Sequence, residues 1–121
     1  MLLKTIKNIP GRVVRAFAYS WGGFKSALIR EESFRLEAMG LAILLAALLP
    51  APWPVWKKLA LTAAYLLIPL AELFNSALED LCDLVSPDDN LYVKSAKDKG
   101  SAAVLLAIII ASLTLAILLW L

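Results

Sequence analysis

The chain has 121 residues, 61% of them hydrophobic and 18% charged, with a net charge of only +2. A mean hydropathy of +0.78 is more apolar surface than a water-soluble core of this size can hide, which places the chain in the membrane class. The near-balanced charge gives no footing for a nucleic-acid partner. The sequence holds no histidine and one cysteine, Cys82. That excludes an intrachain disulfide, a cysteine-rich metal site and histidine-based acid–base chemistry. Any chemistry must run on carboxylates and lysines, with a hard cation held by oxygen if a metal takes part.

In chain order, Met1 to Lys7 carries two lysines around an apolar stretch too short for a signal-peptide core. Asn8 and Pro10 mark a helix start. Val14, Phe17, Trp21, Phe24 and Leu28 then form one apolar stripe, with Arg12, Arg15, Ser20 and Lys25 largely off it. A basic amphipathic helix with aromatics on its apolar face suits the membrane interface, so a surface helix is predicted over about 8–30. Arg30 to Glu37 is a charged collar in which Glu31 and Arg35 are spaced as an i, i+4 pair.

Ala38 to Trp56 is free of charge for 19 residues, near the length that crosses about 30 Å of hydrocarbon. A first transmembrane helix is predicted over 36–54, stopped by Pro50, Pro52 and Pro54, with Trp53 and Trp56 at headgroup level. Lys57 and Lys58 occupy the turn. A second helix is predicted over 57–85, with Pro69 inside it and Glu72 at membrane depth. Ser86 to Asn90 reads as a turn. From Gly100 to Leu121 there are 22 charge-free residues, so a third span is predicted over 98–121. Trp120 anchors its far end, and Ala103, Ala107 and Ala111 offer a small face for helix packing. The expectation is an all-α membrane protein: a single domain over 1–121, with one surface helix, three transmembrane helices and an oligomeric bundle.

Ten lysines and arginines fall in the N-terminal region and second loop, against Lys57 and Lys58 in the first loop. The positive-inside rule then places the N-terminus and the polar residues on the cytoplasmic side.

The second span carries Glu72, Asn75, Ser76, Glu79 and Asp83. At roughly 100° per residue these lie within a ~100° arc of one helix face. Ionisable groups at membrane depth usually face a bundle interior or polar cavity. No Walker sequence occurs, since Phe24-Lys25-Ser26 lacks the preceding glycine, and there is no G-x-G-x-x-G. What remains is a carboxylate-rich face near lysines at a membrane boundary. Carboxylates hold Mg²⁺, Mg²⁺ bridges phosphates, and lysine supplies positive charge as a phosphoryl group moves. The same inventory suits a cation or proton pathway, or a structural polar seam.

Glu72-x-x-Asn75-Ser76-Ala77-x-Glu79-x-x-x-Asp83, followed by Ala96-Lys97-Asp98-x-Gly100-Ser101-Ala102-Ala103-Val104, resembles the bacterial integral-membrane diacylglycerol kinases. Ala18-Tyr19-Ser20-Trp21 and Glu31-x-x-Phe34-Arg35-x-Glu37 upstream share the resemblance. It implies a small three-span homotrimer of the bacterial inner membrane that transfers the γ-phosphate of MgATP to a lipid hydroxyl. Diacylglycerol is the expected acceptor, with undecaprenol the alternative within the family. By this resemblance Glu72 is the general base, with Asn75 and Lys97 beside it in the catalytic centre, and Glu31 and Glu79 hold the Mg²⁺. Arg12, Tyr19, Glu31, Glu79, Asp88, Asp89, Asn90, Lys97 and Asp98 would contact the nucleotide. Lys25, Glu37, Glu72, Ser101 and Trp120 would contact the lipid. Lys99 stands where the family often has methionine, and Lys25 where arginine is common. Outside this family, a small ion or proton channel or a structural membrane subunit is the competing expectation.

Overall fold

The computed structural model describes residues 9–86 and 90–121. Asp88 and Asp89, expected at the nucleotide, lie outside the described residues, as do Lys4, Lys7 and Asn8. All regular structure among the described residues is helical: α1 (Ile9–Arg30), α2 (Glu32–Leu48), α3 (Val55–Val85) and α4 (Leu91–Trp120). The chain divides into two compact units, one ending at Glu32 and one spanning Ser33–Leu121.

In the first unit α1 runs unbroken through Gly22 and Gly23. The stripe of Val14, Phe17, Trp21, Phe24 and Leu28 is exposed along its length. This leaves an open apolar face on a basic helix, the pattern of an interfacial helix.

In the second unit α2 departs from the expected span of 36–54. It begins at Glu32 and ends at Leu48. Proline cannot donate a backbone hydrogen bond and disfavours helix in the residue before it, so Pro50, Pro52 and Pro54 end the helix well ahead of Trp53. Its 17 residues rise ~25 Å, less than the ~30 Å of a hydrocarbon core. Among the described residues only α3 and α4 are long and apolar enough to cross a membrane.

Helix α3 stays continuous through Pro69. Helix α4 starts earlier than the expected residue 98, because the Asn90 side chain accepts the Tyr92 backbone N–H at 2.8 Å. That N-cap satisfies an otherwise orphan donor and lets Leu91 to Asp98 join the helix. Replacing Asn90 with alanine is expected to cost about 1 kcal/mol of stability, read as a lower unfolding midpoint in micelles.

Helices α3 and α4 pack antiparallel: Leu61 lies near Leu118, Asn75 against Gly100, and Asp83 against Lys97. Ala64, Ala107 and Ala111 are buried, so small side chains let the two helices approach. Ala103, expected on the same small face, is exposed. The end of α2 joins this pair where Leu48, Leu61 and Leu118 cluster with Leu44, Trp53 and Ala60 around them. Two lysines hold the helix ends there. Lys57 Nζ donates to the Leu118 carbonyl at 3.2 Å and Lys58 Nζ to the Leu49 carbonyl at 3.1 Å. Each ammonium thereby meets a carbonyl left unpaired at a helix C-terminus. Lys57 also sits 5.6 Å and 5.7 Å from the ring centres of Trp53 and Trp56, within cation–π range.

Higher on α2, the Tyr65 hydroxyl donates to the Glu37 carbonyl at 2.9 Å and lies where a Cβ on Gly40 would be. Tyr65→Phe is expected to lose about 1 kcal/mol, measured by unfolding in mixed micelles. Gly40→Ala, which must displace the ring, should lose more. The buried core is small, and most large apolar side chains of α3 and α4 point outward, among them Leu70, Phe74, Leu105 and Leu106. So much contiguous apolar surface needs lipid or another protein surface against it.

Candidate active site

The polar stripe falls on one face of α3 as its spacing requires, and it grades from covered to open. Glu72, Asn75 and Ser76 are half-buried, whereas Glu79 and Asp83 are exposed. From Glu72 to Asp83 the helix rises ~16 Å, so the stripe runs from half-buried to exposed positions over that length.

Two contacts order this face. Asn75 Nδ2 donates to Glu79 Oε1 at 3.2 Å. A carboxylate only accepts, so the amino group must face Glu79 and the carbonyl oxygen must turn away. Asn75 Oδ1 is buried, has no hydrogen-bond partner among the described residues, and lies against Gly100 of α4. One turn on, Lys97 Nζ pairs with Asp83 Oδ1 at 2.6 Å, joining α4 to α3. Lys94 pairs with Asp98 at 2.8 Å within α4. These lysines occupy the polar first turns of α4, ahead of the charge-free run from Gly100. Both ammonium groups are held above the ordinary lysine value, chiefly by the hydrogen bonds they donate, Lys97 to Asp83 and Lys94 to Asp98. Both pairs are largely solvent-exposed, so a phosphate could exchange for either carboxylate at little cost.

The structure thus brings Asn75, Glu79, Lys97 and Asp98 to one end of the α3–α4 pair, with Glu72 one turn deeper. An apolar groove of about 580 Å³ opens beside them, lined by Phe74, Asn75, Leu78, Gly100 and Ala107 among others. Ser101 is exposed next to Gly100, while Trp120 is exposed at the opposite end of α4. The two are ~28 Å apart along the helix, so these two expected lipid contacts do not share a pocket within the chain. Glu37 is half-buried on α2, where its backbone carbonyl receives Tyr65. Asn90 serves as the α4 cap. In the first unit Arg12, Tyr19 and Lys25 are exposed on α1, and Glu31 is the non-helical residue after it, its N–H donating to the Ala27 carbonyl at 2.9 Å.

Asp83 and Gly100 make contacts between α3 and α4 that the sequence pattern does not specify. Asp83 was legible as a stripe member, but its pairing with Lys97 depends on how α3 and α4 meet. The signal for Gly100 was a glycine at the head of an otherwise unbroken apolar helix.

No three carboxylates converge among the described residues. Mg²⁺ commonly takes one or two carboxylates and completes its shell with water and substrate phosphate. A hard-oxygen ligand at Glu79, oriented by Asn75 and open to solvent, fits that mode and does not fit an all-protein cage.

A profile of the family described as prokaryotic diacylglycerol kinase matches residues 18–119. The chain belongs to that family. The diacylglycerol kinase of Escherichia coli (strain K12) is 40% identical to this kinase over 112 residues, covering 90% of this chain and 89% of its own. That of a Sinorhizobium species is 36% identical over 94 residues, covering 78% and 68%. That of Pseudomonas aeruginosa is 34% identical over 112 residues, covering 89% and 88%. Membership makes this protein an ATP-dependent kinase, and its apolar helices give it a membrane location.

Proposed function

We propose that this kinase transfers the γ-phosphate of MgATP to the free hydroxyl of diacylglycerol, giving phosphatidic acid and ADP. The observation that carries the reading is a half-buried carboxylate, Glu72, on the same helix face as the solvent-open Asn75–Glu79 pair, with Lys97 reaching that face from α4. A lipid hydroxyl and a water-soluble nucleotide have to meet at different depths, and this face spans them. The names of the relatives favour diacylglycerol, and the apolar groove beside Asn75 suits an acyl-bearing acceptor.

Glu72 accepts the hydroxyl proton as the new P–O bond forms. The bond between the γ-phosphorus and the bridging oxygen breaks, and ADP departs with that oxygen. Lys97 leaves Asp83 for the phosphate and offsets the charge that builds there. Glu79 would hold the Mg²⁺, which when bound would neutralise phosphate charge, and Glu31 is the other carboxylate the family resemblance assigns to it. In-line placement of the reactants supplies much of the acceleration.

The reading includes a third membrane crossing by α2 with its proline-rich continuation, a surface position for α1, and a homotrimer that covers the polar stripe. It places the N-terminus and site at the cytoplasmic face of the bacterial inner membrane, as the lysine and arginine distribution favours. The test is a lipid panel with purified protein and radiolabelled ATP. Diacylglycerol should be the best acceptor. Preferential labelling of undecaprenol would replace the substrate, and vesicle conductance with no lipid labelled would replace the class.

A further inference from the structure

We infer that Gly100 is a positioning residue for the phosphoryl-transfer site, because only a glycine there lets the Asn75 carboxamide sit between α3 and α4 and aim its amino group at Glu79. The inference rests on the proposed roles of Asn75 and Glu79, but its physical basis is independent of them.

A Cβ built on Gly100 would collide with Asn75 Oδ1 and would come within 3.2 Å of both Asn75 Cγ and a methyl of Leu78. The Leu78 methyl ends a flexible side chain and can move a few tenths of an ångström. The carboxamide cannot move so freely. Its Nδ2 is committed to Glu79 at 3.2 Å, and a flip would set oxygen against carboxylate. Rotating the whole group away from Gly100 would break the bond to Glu79. At Gly100 the direction of the missing Cβ holds only a hydrogen on Cα, which leaves the space that Oδ1 occupies. A buried oxygen without a conventional donor calls for an explanation. Here it follows from the demand that the other end of the amide face Glu79.

The geometry is local. Gly100 packs at a level of α4 one turn from Lys97, whose pairing with Asp83 marks the axial register in which the two helices meet. The glycine therefore meets Asn75 and not the residue a turn above or below. An alanine at 100 would leave the helix intact, since alanine favours helix over glycine. Any damage must come from the contact.

The test is a double-mutant cycle on the full-length protein in mixed micelles, with stability and activity read separately. Gly100→Ala should lower the unfolding midpoint in the native background. In an Asn75→Ala background, where the colliding oxygen is gone, the same change should leave the midpoint unchanged or raise it. This arm needs no activity, and it holds even if Gly100→Ala alone fails to fold, because the double variant should then recover folding. Where Gly100→Ala folds, kcat should fall at least tenfold with KM for lipid within twofold of the parent. In ¹⁵N-labelled protein the Asn75 side-chain amide resonance should shift. Equal destabilisation by Gly100→Ala in both backgrounds would overturn the inference, as would full kcat in the single variant. Absence of lipid phosphorylation by the parent protein would defeat the proposed function and leave the stability cycle standing.

Discussion

Glu72→Gln is expected to lower kcat about 10²–10⁴-fold, the range for removing a positioned proton acceptor. Glutamine keeps the size and much of the polarity of the side chain, so the helix face should pack as before. KM for the lipid and for the nucleotide should change little, because the proton moves only as the bond forms. The unfolding midpoint should change little, since glutamine keeps the size and hydrogen-bonding reach of the side chain at this half-buried position. The measurement is initial-rate kinetics in mixed micelles beside a melt of the same sample. Retention of kcat would remove Glu72 from the proton-transfer role. A parallel loss of folding would show that its carboxylate holds the bundle together.

Lys97→Met should be nearly as damaging, about 10²–10³-fold in kcat, the cost of losing one preorganised charge from a developing anion. Methionine matches the stem and removes only the ammonium. Asp83→Asn is the matched control. It removes the negative charge that pairs with Lys97 but leaves the ammonium in place, so its effect on kcat should be much the smaller. If the two variants were equally inactive, the bridge itself would be the essential element. The pH behaviour has a defined sign. Asp83 raises the pKa of Lys97 above the ordinary 10.5, so the contribution of the bridge is complete below that value. It is lost only as the pH climbs past the folded-state value. Between pH 6 and 9 the lysine stays charged, and no change in rate across that range should trace to it.

The polar stripe was legible because helical periodicity alone puts positions 72, 75, 76, 79 and 83 on one face. Helix α1 (Ile9–Arg30) lies within a residue of the expected 8–30, while α3 (Val55–Val85) begins two residues ahead of the expected 57 and takes Lys57 and Lys58 into the helix. Helix α2 ends at Leu48, short of the expected 54, because Pro50, Pro52 and Pro54 deny its last turns a backbone donor. Helix α4 begins at Leu91, ahead of the span expected from 98, because the Asn90 side chain caps its charged opening turns. The contacts Asn75–Gly100 and Asp83–Lys97 lie 14 and more residues apart in sequence. They depend on axial register, which composition and periodicity do not encode.

The thinly populated interior has a practical corollary. Few side chains are withdrawn from the surroundings by the chain itself, so the surrounding amphiphile acts as a ligand for the native state. A melting temperature for this kinase belongs to a named detergent or lipid. Lengthening the detergent tail should move it by several degrees with the sequence untouched.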